Sequence, residues 1–330
     1  MKELKIAIIL PPDKRDGLAE TIINGMSSLA AGPDYKLHLR VHKDSDILPE
    51  SFFIKFAQKA DFVLLVWGKE GTNIKLGEKI GAWEKTFFID GSELGKNRRL
   101  DKNIIQEVLS GVYQKSGAIN FELLKKCSGY FRRESPYIEG IIPLPFGIER
   151  KYVQYNKNIK KDIDFVCIFG QEDYPPLRRE VRLTLEKFCT ENNFSNRTLQ
   201  TKVPFFGIYN PFAQYRFRSL LARAKVGVSV SGGGFDTFRF WEILGNNCIL
   251  LTEKIDIYPR GSKALDYKRI WEFSNLDEFK EKLNQLGKFL REGYTIETMM
   301  DEYKEILKNH SSEARALSII EEAEKKGLLQ

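Results

Sequence analysis

A chain of 330 residues, 42% hydrophobic and 29% charged, is long enough for two domains with sizeable cores and lacks the composition of a disordered or fibrous protein. Its longest apolar runs, such as residues 6–10 and 62–67, fall far short of the roughly 20 residues of a spanning helix. The segment Met1-Lys2-Glu3-Leu4 leads straight into a strand-like run without a signal-peptide pattern, so a cytoplasmic protein is expected. The net charge of +7 lies wholly in residues 1–161, which hold 27 Lys and Arg against 20 Asp and Glu; residues 162–330 hold 25 of each kind. That basic half suits an anionic partner, such as a phosphate-bearing acceptor or phospholipid at the inner membrane face; the plainer reading is a basic surface that aids solubility.

In chain order, residues 4–10 form a nearly continuous β-branched run, as expected of a strand covered on both faces. Pro11, Pro12 and Gly17 mark a loop, and a helical stretch follows to about residue 31. Strands are predicted over 36–41, 61–67 and 85–90, with helices over 51–60, 101–115 and 120–128. Pro143, Pro145 and Gly147 then break the pattern, and the polar, lysine-rich stretch 151–161 reads as a linker. Strands are predicted again over 163–169, 198–203, 225–230, 248–252 and 269–273. Helices are expected from the Pro175-Pro176 pair to residue 192, over 212–224 and after a glycine loop, and the last 55 residues are helical and charged. This alternation predicts two parallel α/β domains, 1–150 and 162–330, the second carrying a helical tail.

Four cysteines, Cys127, Cys167, Cys189 and Cys248, form no CxxC pair and read as reduced thiols. His38 and His42 lie on one face of a strand about 13 Å apart, too far to share a metal. Asp44-Ser45-Asp46 matches a metal-binding spacing but reads as a turn, so no metal site is expected.

The densest chemistry lies in Ser231-Gly232-Gly233-Gly234-Phe235-Asp236-Thr237-Phe238-Arg239-Phe240-Trp241-Glu242. A strand runs into three glycines and then a helix. Gly232, Gly233 and Gly234 allow close approach to the backbone, and the helix start offers amide donors and a positive dipole end to a diphosphate. Asp236 or Thr237 can cap that start. Arg239 and Glu242 are three apart on one face, placing a guanidinium for phosphate and a carboxylate for ribose hydroxyls. The segment matches neither GxGxxG nor a P-loop.

The stretch 164–251 resembles the donor domain of group-1-like GT-B glycosyltransferases of bacterial and archaeal polysaccharide pathways. The resemblance rests on Asp164-Phe165-Val166-Cys167-Ile168-Phe169-Gly170, on Arg178, on Leu221-Ala222-Arg223-Ala224-Lys225-Val226-Gly227-Val228-Ser229, and above all on Asp236-Thr237-Phe238-Arg239-Phe240-Trp241-Glu242-Ile243-Leu244. Phe131-Arg132-Arg133-Glu134 and Pro143-Leu144-Pro145-Phe146-Gly147-Ile148 are similar to the segment before the inter-domain linker of such enzymes. The resemblance implies two facing Rossmann-like domains, a UDP- or GDP-linked sugar held mainly by the second, and a final helix that crosses back onto the first. It also implies transfer to a hydroxyl of a glycan, lipid-linked or other acceptor, without a metal. The Glu-x7-Glu pair of many retaining members is absent, since the positions eight from Glu242 are Gly234 and Leu250, and this leans towards inversion.

Gly170, at the end of a strand, and Arg178, gained through the resemblance, complete the expected donor-site set. The aromatic run 205–209 would either stack on a nucleobase or pack its own loop. For a base that takes the acceptor proton, Asp90 at a strand's carboxyl end and Asp13 after the first strand are the candidates, each of which also suits plain turn chemistry. Two other readings compete: a non-catalytic nucleotide- or sugar-binding module of the same architecture, and a nucleic-acid binder. The second is not expected, because the basic residues are scattered and carry no recognition motif.

Overall fold

The computed structural model describes the chain apart from residues 12–16, 44–48, 67–71, 94–118, 135–138, 155–158, 171–173, 199–210, 256, 260 and 330. The helix expected over 101–115 lies outside the described residues.

The first half alternates β1 (Lys2–Ile9), α1 (Gly17–Ala30), β2 (Tyr35–His42), α2 (Glu50–Gln58), β3 (Phe62–Val66), α3 (Thr72–Ile80), β4 (Thr86–Asp90), α4 (Phe121–Lys126), β5 (Gly129–Arg132) and β6 (Ile141–Pro143). The strands form one parallel sheet in the order β2-β1-β3-β4-β5-β6. Ile6, Ala7, Ile8 and Ile9 are all buried, as a strand covered on both faces requires. Sequence periodicity did not indicate α3, β5 or β6. Pro143 is tolerated because β6 is the edge strand of the sheet.

The second half runs β7 (Ile163–Val166), α5 (Leu177–Asn192), β8 (Asn196–Arg197), α6 (Pro211–Arg223), β9 (Ala224–Ser229), α7 (Phe238–Gly245), β10 (Ile249–Glu253) and β11 (Ile270–Phe273). Its parallel sheet has the order β11-β10-β9-β7-β8. The described strand β8 is two residues long and ends before the strand expected over 198–203, of which only Thr198 lies among the described residues. Strand order reverses between β7 and β9, and in open α/β sheets ligands sit at such reversals, beyond the carboxyl ends of the strands.

Three helices follow: α8 (Leu276–Glu292), α9 (Glu297–His310) and α10 (Ser312–Lys325). The chain crosses between the sheets twice, and the two crossings run side by side. The Ile148 N–H donates to the His310 carbonyl at 2.8 Å, and the Ser312 N–H donates to the Ile148 carbonyl at 3.0 Å. Helix α10 then covers α1: Ala316, Ile319, Ile320 and Ala323 share one core with Leu18, Ile22 and Met26. The backbone approach is close enough that a Cβ on Gly25 would lie 2.0 Å from the Ser312 carbonyl oxygen, so only glycine fits there. Among the described residues, no helix is long and apolar enough to cross a membrane.

Candidate functional site

Gly170 follows β7 and the glycine loop follows β9, so both stand at the point where the second sheet reverses. None of Gly232, Gly233 and Gly234 adopts the left-handed backbone. Their requirement is space. A Cβ on Gly232 would lie 2.7 Å from Arg178 Nη2, one on Gly233 2.5 Å from Glu93 Oε2, and one on Gly234 2.0 Å from Glu134 Oε1. Charged side chains of both domains therefore close on the loop. Gly170, by contrast, faces open space.

Arg178, from the first turn of α5, reaches across to the loop. Its Nε donates to the Ser231 carbonyl at 3.1 Å and its Nη2 to the Val230 carbonyl at 3.2 Å, while the guanidinium rests over Phe169. Burial, and then the charge of Arg239, hold the Arg178 pKa below its usual value. Two guanidiniums that repel each other beside a glycine loop constitute an anion-receiving arrangement. Arg239 lies over the Phe217 ring at 3.8 Å and pairs with Glu242 at 2.7 Å. Glu242 also hydrogen-bonds Tyr152 of the linker; burial, followed by that carboxylate, raises the Tyr152 pKa. The i,i+3 pair read from the sequence is thus formed in the structure, its two members bonded to each other.

Helix α7 carries no side-chain cap at Thr237, whose hydroxyl lies 3.3 Å from that of Ser229. The Phe240 N–H donates to the Thr237 carbonyl at 3.2 Å, and among the described residues the N–H groups of Phe238 and Arg239 are left for another acceptor. Asp236 turns inward instead of capping. Its Oδ1 accepts from Trp241 Nε1 at 2.7 Å and its Oδ2 from the Phe146 backbone N–H at 2.8 Å, while its own N–H donates to Glu134 Oε1 at 3.1 Å. Burial pushes this carboxyl up to about 6, against the opposing pull of Arg133 and its two donors. Asp236 is thereby a bridge between the domains.

The first domain meets the loop with Glu93, Arg133 and Glu134, to which the sequence reading gave no role. Arg133 pairs with Glu93 at 2.9 Å and Glu134 at 3.3 Å, lies 3.9 Å from Asp236, and sits over the Phe146 ring. Burial opposes its charge, but Glu134, Asp236 and Glu93 outweigh it and hold the guanidinium's pKa above its usual value. Phe146 in turn stacks on Phe238, the first residue of α7, with centroids 4.2 Å apart.

Asp90 lies deeper. Its side chain is 3% exposed, it is paired with Arg132, and it accepts from Tyr130 Oη at 2.7 Å and from the Ser92 N–H at 2.9 Å. A carboxylate so engaged is suited to holding the end of β4 in place. Asp13, the aromatic run 205–209 and the pair Asp44 and Asp46 lie outside the described residues. One cavity of 560 Å³ lies between the linker and α6, and one of 640 Å³ lies beside the segment after β10; neither borders the glycine loop.

No protein-family model matches the chain, and no curated protein matches it. Solved structures do. Anabaena HepE in complex with UDP aligns over 98% of this chain and 100% of its own, at 8% identity and a TM-score of 0.56. A glycosyltransferase from Rickettsia africae aligns over 99% of both chains, at 9% identity and a TM-score of 0.56. An alpha-glucosyltransferase in complex with UDP and a 13-mer DNA containing an HMU base aligns over 97% of this chain and 98% of its own, at 12% identity and a TM-score of 0.58. At these identities the likeness is one of architecture. The chain has the GT-B glycosyltransferase fold: two facing parallel-sheet domains joined by two adjacent crossings and completed by a helical tail.

Proposed function

We propose that the protein is a glycosyltransferase that moves a sugar from a nucleoside-diphosphate donor to a hydroxyl acceptor in glycan synthesis. The observation that carries this reading is the convergence of Arg178, Arg239, the glycine loop and the uncapped start of α7 at the reversal of the second sheet. Arg178, Arg239 and the α7 amides receive the diphosphate and stabilise it as it leaves, a task that needs no metal in this scheme. Glu242 serves the ribose. UDP is the favoured nucleotide, because two of the fold relatives are complexes with UDP. The basic first half suits an anionic acceptor.

For the proton of the acceptor hydroxyl, Glu93 is a better base than Asp90. It stands against the glycine loop with its side chain 40% exposed, whereas Asp90 is sealed in its pair with Arg132. One such base, acting opposite the leaving diphosphate, corresponds to transfer with inversion.

Thermal unfolding against UDP, GDP, ADP, CMP and dTDP tests the reading. A ligand at 100 times its dissociation constant adds about 2.7 kcal/mol of stability. UDP should raise the melting temperature of the wild type and not that of Glu242→Ala, with or without EDTA. If no nucleotide shifts the transition, the donor site is lost as a proposal. If UDP binds but Glu93→Gln and wild type are equally inert in transfer, the chain is a nucleotide-binding module, a reading that the buried, ion-paired Asp90 favours.

A further inference from the structure

We propose that the groove between the inter-domain linker and α6 is a second binding site, for a small molecule bearing a phosphate monoester. The groove has a volume of 560 Å³, within the range of small-molecule sites. Its lining holds four cationic side chains, Lys151, Lys160, Arg218 and Arg223, against one carboxylate, Asp162.

The internal pairing of these groups leaves a positive surplus. Arg223 and Asp162 neutralise each other through two bonds of 2.8 and 2.6 Å, and Lys151 is paired with Glu149 at 2.7 Å. Among the described residues, Lys160 and Arg218 have no carboxylate within ion-pair range. Arg218 Nε has no hydrogen-bond partner among them, so no acceptor of the described fold holds the guanidinium through that nitrogen against an incoming anion. Tyr152 and Tyr215 flank these charges, and Val153, Ile159 and Ala222 supply apolar surface, so the groove also suits an organic group attached to the phosphate. The 640 Å³ cavity after β10 has no such bias, since Lys254 and Lys263 are balanced there by Asp266 and Glu272.

The charged lining of this groove lies away from the donor site, and the two meet at Tyr152, which hydrogen-bonds Glu242. Asp162 immediately precedes β7 and Arg223 immediately precedes β9, which puts the groove at the amino ends of the strands whose carboxyl ends carry Gly170 and the glycine loop. The inference therefore stands independently of the transferase reading.

Calorimetric titration with phenyl phosphate tests it. Wild type should bind. The exposed-surface variant Lys160→Glu, which leaves the fold undisturbed, should bind about tenfold more weakly or worse, as should Arg218→Gln, while Arg239→Gln in the donor site should retain wild-type affinity. Phosphatidic acid vesicles distinguish the source of the phosphate. Co-sedimentation that Lys160→Glu abolishes assigns it to a lipid headgroup, and its absence, beside the calorimetric loss, assigns it to a soluble ester. Wild-type affinity weaker than about 1 mM, or equal affinity in wild type and Lys160→Glu, overturns the proposal.

Discussion

Phe146 in the first domain donates its backbone N–H to Asp236 in the second at 2.8 Å. The same carboxylate accepts from Trp241 Nε1 and lies beside Arg133, so one side chain satisfies groups on both sides of the junction. Asp236→Ala leaves two buried donors unmet and removes a carboxylate from beside Arg133. It should cost about 3 kcal/mol in urea denaturation. A loss below about 1 kcal/mol would mean that the junction is held elsewhere.

Arg178 and Arg239 come from different helices and are close enough for their charges to oppose each other, and the proposed diphosphate lies between them. Arg239→Ala should weaken UDP binding about tenfold or more in calorimetry, while stability stays near that of wild type. Arg178→Ala should weaken binding similarly and also loosen the loop, because it frees the carbonyls of Ser231 and Val230. Unchanged dissociation constants in both variants would remove the diphosphate from this position.

The glycines make a contrasting pair of predictions. Gly234→Ala drives a Cβ against the buried Glu134 and should destabilise by about 1–3 kcal/mol. Gly170→Ala meets nothing within 4 Å and should stay within about 0.5 kcal/mol of wild type. Equal melting temperatures for the two variants would contradict the close packing of the loop.

His310 predicts an acid sensitivity. Its Nδ1 accepts from Arg315 Nη2 at 3.0 Å, and its Nε2 donates to the Ala264 carbonyl at 2.8 Å. Burial, and then the charge of Arg315, push its pKa down from 6.5 to about 3. The unfolded chain therefore binds the proton more readily than the folded one. The stability contribution is full above 6.5 and is lost as pH falls toward 3. In melting curves the advantage of wild type over His310→Gln should shrink steadily through that window. A constant difference would show that the imidazole already carries its proton in the fold.

The alternation of strands and helices was legible because the buried strands are short, uninterrupted apolar runs rich in β-branched residues, as Ile6 to Ile9 and Val63 to Val66 show. The pair Arg239 and Glu242 was legible because helical spacing alone puts them on one face. Strand β5 was not, because Arg132 enters it and is neutralised by Asp90, a partner 42 residues away that no local pattern reveals. Helix α3 was missed for its polar, glycine-interrupted sequence; Gly77 is there to make room for Trp83. Glu93, Arg133 and Glu134 look like ordinary surface charges in the sequence, and only the approach of the second domain makes them neighbours of the glycine loop.

The packing of α10 on α1 also sets an order of assembly during synthesis. Leu18, Ile22 and Met26 are made well before the residues that cover them, Ala316, Ile319, Ile320 and Ala323, which lie in the helical tail after the second domain. At about 5–20 residues per second, the nascent first domain waits roughly ten to thirty-five seconds with that greasy strip bare. That interval is a window in which a holdase has something to bind.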